Sequence, residues 1–360
     1  VKGVWCLKLR TKTKLGCMEK FLRCVREKMM NGIQKTLTNP GIEAWCDSEK
    51  DAEDARKIYK EFDRCYYRVK VGRGSSSYGE YIIENTNIRT RAPKCVVDVC
   101  EYEHPDIIIT LNRKLIVTIE ITNHKPVGAN VLQRFPRAVK SCQLGIPHIM
   151  TMRKGDNSSS SWGVKGMLEV MRVHQVPCLA ILFEPSHFKK AFELLRSNVL
   201  ERIKVALTEG IEKARGFIPQ DEPIISSMRS FVNEVYKPTF RKVDIYKNCI
   251  VYNIDLTGKR RYEDTETGWE TKGTGLLDPY PGYILFYHYV LCEPEIKTGK
   301  RKKKIFVHFR KLPRTVRSQR ENPATWWIMQ AEKTRGKIYW ELMKKLADGI
   351  FFKGESLPIS

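Results

Sequence analysis

The sequence has few acidic residues for its many basic ones, with 41 Asp and Glu against 64 Lys and Arg in 360 residues. The resulting formal net charge of +23 indicates a polyanionic partner, either nucleic acid or an anionic membrane surface. The chain also lacks an apolar run near the ~20 residues that a membrane span needs, and no signal-peptide pattern opens it. We therefore expect no membrane partner and an intracellular protein, cytoplasmic if the source is prokaryotic.

Several motifs that define enzyme and metal classes are also missing. None of the eleven cysteines belongs to a C-x-x-C pair, which argues against a zinc site and favours reduced, mostly buried thiols. The chain has no G-x-x-x-x-G-K-[ST] loop, so a nucleotide-driven motor is not indicated. It has neither a G-x-S-x-G elbow nor an H-E-x-x-H helix. No small-molecule cofactor is expected.

A pair of carboxylates on two very apolar strands lies within residues 104–125. Asp106 opens the first strand, a polar turn covers residues 111–114, and Glu120 lies inside the second strand. The alternation of strand side chains places Glu120 and Thr122 on one face, ~7 Å apart. A carboxylate among isoleucines needs compensation, and a divalent cation shared with Asp106 is the simplest source. The competing interpretation is a strand-end aspartate and a glutamate on a solvated face.

A helix and two more strands follow within residues 128–183. The order strand, strand, helix, strand, with Pro105-Asp106 and Glu120-Ile121-Thr122 on the first two strands, resembles the PD-(D/E)XK nuclease superfamily, as found in type II restriction endonucleases. The resemblance covers about residues 78–184. It implies an α/β fold with a restriction-endonuclease-like core, in which a mixed central sheet is flanked by helices.

The same resemblance implies a metal-dependent endonuclease that hydrolyses phosphodiester bonds in double-stranded DNA at specific sequences. Asp106 and Glu120, with the Ile121 carbonyl as an extra ligand, would hold Mg²⁺, for which Mn²⁺ can substitute. The family usually has lysine at the position of Thr122. Here Thr122 would orient the water or the phosphate by hydrogen bonding. Lys125, just beyond the strand, would supply the positive charge, and Lys140, on the following helix, is the other candidate for this role.

In this family, a helix ahead of the first core strand often contributes another acid near the metal. Glu84, in a helix predicted for residues 76–87, is the candidate. A role for Glu84 on the protein surface is the alternative.

The C-terminal third of the sequence is strongly basic. Residues 300–320 hold ten Lys or Arg and no Asp or Glu, a density that suits phosphate contacts, although a solvated turn is the default interpretation of the run at 300–304. The candidate nucleic-acid contacts are Gln133 and Arg134, on the helix after the second acidic strand, together with Lys300, Arg301, Lys302, Lys303, Lys304, Arg310, Lys311, Arg314 and Arg317.

The domain organisation follows from these assignments. We expect a helical N-terminal region at 1–75, a nuclease core at 76–186, a helical region at 187–240 that packs on the core, and a basic α+β C-terminal region at 241–360. A homodimer is compatible with this arrangement. Three alternatives stay open: an RNA, repair or viral nuclease on the same fold, a nucleic-acid-binding protein that has lost activity, and a basic structural protein at an anionic surface.

Individual elements are predicted as well. Asp47-Ser48 caps a helix that extends to about residue 67. Residues 96–100 form a strand, residues 155–162 form a loop of low complexity, and residues 187–215 form one long helix. Pro136 kinks the helix that contains it or delays its start.

Overall fold

The computed structural model describes residues 41–69, 79–122, 128–154, 158–236, 243–255, 263–264, 269–270, 304–311, 347–352 and 354–358. These residues form an α/β fold with a large mixed sheet and helices packed on it. None of their helices combines the length and the apolarity that a membrane crossing needs. Residues 1–40 of the predicted helical N-terminal region lie outside the described residues.

The main sheet has eight strands, β1 (Ile42–Cys46), β2 (Arg64–Arg68), β3 (Glu80–Ile83), β4 (Arg89–Arg91), β5 (Ile107–Leu111), β6 (Lys114–Glu120), β7 (His148–Arg153) and β8 (Cys178–Phe183). Their order across the sheet is β4-β3-β2-β1-β5-β6-β7-β8. The pairs β1 with β5 and β5 with β6 are antiparallel, whereas β6, β7 and β8 run parallel to one another. The sheet is therefore mixed, as predicted.

The helices that surround this sheet are α1 (Glu49–Ile58), α2 (Lys94–Val99), α3 (Gly128–Gln143), α4 (Ser158–His174), α5 (Phe188–Thr208), α6 (Ile211–Arg215) and α7 (Asp221–Val235). The crossover from β6 to β7 contains α3, and the crossover from β7 to β8 contains α4. Parallel neighbours need such crossovers, because a tight turn can join only antiparallel strands.

A smaller sheet forms from the C-terminal part of the chain. Its strands are β9 (Val243–Ile245), β10 (Cys249–Asp255), β13 (Lys304–Lys311) and β14 (Gly349–Phe352), in the order β14-β13-β10-β9. Two short strands, β11 (Glu263–Asp264) and β12 (Trp269–Glu270), pair with each other. Ile305 and Val307 of β13 are buried in the same core cluster as the strands of the main sheet.

The β5–β6 hairpin is the centre of the fold because both of its strands are buried on both faces. Every residue of β5 is buried, and so is every residue of β6 after Lys114. The connection is a two-residue turn, in which Asn112 and Arg113 both have positive φ, 50° and 61°. Such turns have the twist that antiparallel strands prefer. The predicted hairpin is confirmed.

The N-terminal part of the described chain differs from the prediction. Ser48 caps α1 as expected, and its side chain accepts the Asp51 N–H. The helix ends at Ile58, however, and β2 follows where helix was predicted up to residue 67. β1 and β2 are thus strands of the main sheet within a region predicted to be helical. Both are short, and β2 is stabilised by pairing with β1 and β3 on its two sides.

The predictions for residues 76–87 and 96–100 are wrong. β3 lies where a helix was predicted, with the Tyr81 side chain buried and the strand paired on both sides. α2 lies where a strand was predicted, because Val96 and Val99, three residues apart, bury one face of a short helix that follows Pro93.

Three other predicted boundaries shift. α4 begins at Ser158, inside the predicted loop, since the buried Val164, Met167 and Val170 recur at helical spacing. The long helix predicted for 187–215 is divided into α5 and α6 by Gly210, whose φ is 101°. The start of α3 is not delayed by Pro136, which lies within the helix.

Candidate active site

Asp106 and Glu120 lie next to each other across the β5–β6 hairpin. Ile107, the first residue of β5, pairs with Ile119 of β6. Asp106 immediately precedes Ile107 and Glu120 immediately follows Ile119, so antiparallel pairing places the two acids at the same edge of the sheet. The parallel strands β6 and β7 also end at this edge. The prediction that both acids belong to one site is consistent with this geometry.

The positive charge that compensates Glu120 comes from α3. Glu120 is fully buried, and Nη1 of Arg137 donates to its Oε1 at 2.7 Å and to its Oε2 at 2.6 Å. Nε of Arg134 also donates to Oε1. Arg134 and Arg137 are three residues apart in a helix, which places them on the same face. A buried carboxylate thus has two guanidinium partners, as burial of an ionised group requires.

Asp106 is held by one backbone and one side-chain donor. Its Oδ2 accepts the Ile121 N–H at 2.8 Å, and its Oδ1 lies 3.3 Å from Nη1 of Arg137. Nη2 of Arg137 lies 3.2 Å from the carboxylate of Glu103 in the preceding loop. One guanidinium therefore connects three carboxylates, and its Nη1 lies between the two acids of the hairpin.

The two acids differ in pKa. Burial, followed by the negative charge of Glu120, raises the pKa of Asp106 well above its usual value. Burial also acts to raise the pKa of Glu120, but Arg137 and Arg134 outweigh it, so the pKa of Glu120 is lowered. The pair therefore has one firmly ionised member, Glu120, and one member that gains most from an additional positive charge, Asp106.

A third carboxylate, Asp51, was not identified from the sequence. It lies in the first turn of α1, and its Oδ2 accepts a hydrogen bond from the Ser48 hydroxyl at 2.6 Å. Burial, with Asp47 and Glu120 among the further causes, raises the pKa of Asp51 to about 6. Asp51 in turn contributes to the raised pKa of Asp106. The segment that leads into α1 is bound to the start of β5, because the Asp47 N–H donates to the Asp106 carbonyl at 3.0 Å.

Thr122 lies at the predicted position beyond β6. Its backbone N–H donates to Oγ1 of Thr151 at 2.9 Å, which ties the end of β6 to β7. Its own hydroxyl oxygen is buried, and within the described residues it has no hydrogen-bond partner.

Lys125, proposed to supply the positive charge, lies outside the described residues. Lys140 of α3, the other candidate for that role, pairs with Glu101 instead.

The prediction that Glu84 joins the acid pair is not supported by its contacts. Glu84 follows strand β3, not a helix, and its Oε2 accepts from Nε of Arg56 at 2.8 Å. The Glu84 N–H donates to the carbonyl of Cys65. Glu84 therefore stabilises the junction between α1, β2 and β3. The sequence suggested a helix here because residues 78–85 contain closely spaced apolar side chains.

A buried network of hydroxyl and imidazole groups links α3, at Arg137, to β6 and β7. Oγ1 of Thr118 lies 2.7 Å from Oγ of Ser141 and 3.0 Å from Nδ1 of His148. The Ser141 hydroxyl donates to the Arg137 carbonyl at 2.9 Å. Burial lowers the pKa of His148 to about 4, so the ring is neutral at physiological pH. These contacts hold the turn of α3 that carries Arg137 against β6 and β7.

The predicted nucleic-acid contacts are described only in part. The Arg134 side chain is engaged with Glu120, and Lys304 is exposed at the start of β13. Arg310 and Lys311 lie on β13. The Gln133 side chain lies outside the described part of the chain, and so do Lys300, Arg301, Lys302, Lys303, Arg314 and Arg317.

Asp106 and Glu120 are the carboxylates that would hold the predicted Mg²⁺, which is commonly bound by one or two carboxylates and keeps several waters. In the structure, Arg134 and Arg137 contact their oxygens. Within the described residues no group of three or more His, Cys, Asp or Glu converges closely enough to hold a metal by itself. The unpartnered hydroxyl of Thr122 is a further polar group at this end of β6. The Ile121 carbonyl remains a predicted ligand.

Comparison with protein-family models, with curated proteins and with solved structures finds no match for this chain.

Proposed function

We propose that this protein is a metal-dependent endonuclease with a core of restriction-endonuclease type, and that it hydrolyses phosphodiester bonds in double-stranded DNA. The observation that carries the proposal is the position of Asp106 opposite Glu120 across the β5–β6 hairpin, close enough for both to contact Nη1 of Arg137. The sequence of the strands supports it, because the acidic hairpin is followed by α3 and by a parallel strand. The net charge of +23 suits a DNA substrate.

In this proposal, Asp106 and Glu120 hold Mg²⁺, which when bound lowers the pKa of a water and neutralises charge on the leaving oxygen. Thr122 would orient the water or the phosphate through its hydroxyl, which has no hydrogen-bond partner in the part of the chain that the structure describes. Arg134 and Arg137 would bind the phosphate and stabilise its negative charge in the transition state, since guanidinium groups match phosphate oxygens in pairs. Lys125 is a further candidate for this charge.

The basic segment at 300–320 would bind phosphates along the duplex and position it, without reading its sequence. Neutralisation of Lys300–Lys304 should then weaken binding to all duplexes alike. It should also flatten the dependence of log K on log salt concentration, by about one unit for each phosphate that the variant no longer neutralises. An unchanged slope would show that this run is a solvated turn.

Plasmid cleavage tests the proposed reaction. Supercoiled DNA incubated with the protein should be nicked or linearised in Mg²⁺ and remain intact in EDTA. Asp106→Ala and Glu120→Ala should each abolish cleavage, because either change removes one of the two carboxylates proposed to hold the cation, while duplex binding is largely retained. Glu101→Ala is the matched control, since Glu101 is a half-exposed carboxylate that pairs with Lys140. A near wild-type rate in either acid variant would refute the assignment.

The products of this digestion also separate the alternatives for the substrate. Discrete fragments indicate a sequence-specific enzyme and a smear indicates a non-specific one. Cleavage of RNA but not DNA would move the proposal to an RNA nuclease on the same fold.

A second function is favoured by one observation. One nitrogen of Arg137 contacts both acids, as a bound cation would. A nucleic-acid-binding protein that no longer hydrolyses its ligand would keep such an ion pair for a purely structural role. Tight duplex binding with no cleavage in Mg²⁺ or Mn²⁺ would favour this function over the nuclease.

A further inference from the structure

We propose that Arg137 competes with a divalent cation for the Asp106–Glu120 pair, and that a substrate phosphate ends this competition by drawing the guanidinium away. Binding of the cation and binding of the nucleic acid would then reinforce each other. The inference rests on the proposed function, because it concerns the order in which the same site becomes ready.

Nη1 of Arg137 lies between the two acids. It lies 2.7 and 2.6 Å from the two oxygens of Glu120 and 3.3 Å from Oδ1 of Asp106. A single positively charged nitrogen thus contacts both acids, as a bridging cation would. A guanidinium keeps its charge over the whole working pH range, so loss of a proton cannot remove this competitor.

The site already holds positive charge. Asp106 and Glu120 carry two negative charges when both are ionised, Glu103 carries a third on the outer side of Arg137, and Arg134 and Arg137 provide two positive charges. A divalent cation added to this arrangement would meet two guanidinium groups at close range in a largely buried site, where repulsion is poorly screened. Its affinity should rise when one of the two arginines leaves the acids.

Arg137 is the one whose departure matters more. Arg134 contacts Glu120, whereas Arg137 contacts Glu120, Asp106 and Glu103. After Arg137 moves, Arg134 still pairs with Glu120, so the buried glutamate is not left without positive charge. Asp106 loses its side-chain partner, and its carboxylate becomes available to a cation.

The Arg137 side chain is partly exposed, and one of its nitrogens is unpartnered within the described residues. It is 15% exposed, and its contact on the outer side is the half-buried Glu103 of the loop before Asp106. Its buried Nε has no hydrogen-bond partner within the described residues. A phosphate offers a guanidinium two parallel hydrogen bonds, a geometry that Nε and a terminal nitrogen together can match.

The test measures Mn²⁺ affinity directly, from the electron paramagnetic resonance signal of the free ion, with the full-length protein near pH 7.5. Wild type, Arg137→Gln and Lys140→Gln are compared without DNA. They are compared again with a short phosphorothioate duplex, which keeps its negative charge and resists hydrolysis. Lys140 is the matched control, because it lies one turn further along α3 and pairs with Glu101, away from the two acids.

Without DNA, Arg137→Gln should bind Mn²⁺ about tenfold more tightly than wild type, or more, because one nearby positive charge has gone. Lys140→Gln should equal wild type. The duplex should tighten Mn²⁺ binding by wild type and by Lys140→Gln, and the gain for Arg137→Gln should be clearly smaller. Equal Mn²⁺ affinities of wild type and Arg137→Gln without DNA would overturn the proposal, as would equal gains from the duplex.

A second variant keeps the proposal open to refutation if Arg137→Gln does not fold. Arg137→Lys retains the charge, but its side chain is one bond shorter than the path to Nη1, so the ammonium does not reach the position from which Nη1 contacts both acids. Its Mn²⁺ affinity without DNA should therefore lie above that of wild type. An affinity equal to that of wild type would count against competition by Arg137.

Two experimental outcomes distinguish a failure of the competition from a failure of the proposed function. If wild type cleaves plasmid in Mg²⁺ while Arg137→Gln gains no Mn²⁺ affinity, only the competition is refuted. If none of the variants binds Mn²⁺ and wild type leaves plasmid intact, both proposals are refuted.

Discussion

The backbone N–H of Ile121 donates a hydrogen bond to Oδ2 of Asp106 at 2.8 Å. This bond joins the residue after the last position of β6 to the residue before the first position of β5. It therefore adds one backbone-to-side-chain hydrogen bond beyond the last paired residues of the hairpin. The bond fixes the Asp106 carboxylate relative to Glu120. Side chains fixed on buried strands form more exact sites than side chains on loops. The acids are thus held in place by the backbone, while the arginines that pair with them come from a helix.

The Thr122 hydroxyl gives a first prediction, because its oxygen is buried and unpartnered within the described residues. Thr122→Val keeps the shape and removes the hydroxyl. Since no hydrogen bond is lost, the free energy of unfolding in urea should change by less than about 1 kcal/mol. The rate of single-turnover cleavage should fall about tenfold or more if the hydroxyl orients the water or the phosphate. An unchanged rate would remove Thr122 from the proposed mechanism.

Thr151→Val is the matched control for that prediction. Its hydroxyl accepts the Thr122 N–H at 2.9 Å and donates to the Thr122 carbonyl at 3.3 Å. This substitution leaves a buried N–H without an acceptor, so it should cost about 1–3 kcal/mol of stability. Thr122→Val should therefore lower the cleavage rate with little change in stability, whereas Thr151→Val should lower the stability.

The parts of the site that the sequence predicted are those encoded by short-range patterns. The β5–β6 hairpin follows from two apolar runs around a polar turn, and Ser48 was identified as a helix cap from its place before a charged helix. β1 and β3 were missed because each is short and has mixed polarity. Such strands are defined mainly by pairing with neighbours that are distant in sequence.

The role of Arg137 could not be read from the sequence for a related reason. Residues 134 and 137 were recognised as part of a helix after β6, and Arg134 was predicted to contact phosphate. Their pairing with Glu120 depends on how α3 packs against the sheet, which periodicity does not give. The same holds for Asp51, whose charge raises the pKa of Asp106 only because β1 lies beside β5. A cluster of acids on separate elements needs the topology before it can be recognised.

The turn of the central hairpin gives a second prediction. Arg113 has φ of 61°, a conformation that disfavours side chains with a Cβ, and Asn-Gly is the preferred pair in such turns. Arg113→Gly should raise the free energy of unfolding by about 0.5–1 kcal/mol, measured by urea titration. Arg113→Ala removes the same long side chain but keeps the Cβ, so it should give no gain. An equal gain from both would attribute the effect to the arginine side chain instead.

The buried ion pair of α5 and α7 gives a third prediction. Arg202 donates to both carboxylate oxygens of Asp221, at 2.7 and 2.6 Å, and both side chains are almost fully buried. Arg202→Met leaves the Asp221 charge without its partner, so it should cost about 3–5 kcal/mol in urea denaturation. The double variant Arg202→Met/Asp221→Leu should recover part of this loss.

An exposed pair on α7 is the control for that experiment. Arg229 lies 3.6 Å from Glu222, and its side chain is 61% exposed. Arg229→Met should cost at most about 1 kcal/mol, because water solvates either charge when the other is removed. A comparable loss at both positions would mean that the methionine, not the missing charge, is responsible.

The last prediction uses the pKa of Asp51, which burial raises to about 6. An aspartate in the unfolded chain has a pKa near 3.9, so between these values the folded state binds more protons than the unfolded state. Stability must then fall as the pH rises from about 4 to 6, and the full cost remains above pH 6.

Asp51→Asn removes this cost and keeps an oxygen for the Ser48 hydroxyl, so at pH 8 the free energy of unfolding should increase by between about 1 and 3 kcal/mol. Near pH 4 the gain should disappear, and Glu53→Gln, at an exposed position of the same helix, should show no such dependence. A gain that is equal at pH 4 and pH 8 would mean that burial and the charges of Asp47 and Glu120 do not destabilise the ionised Asp51 carboxylate.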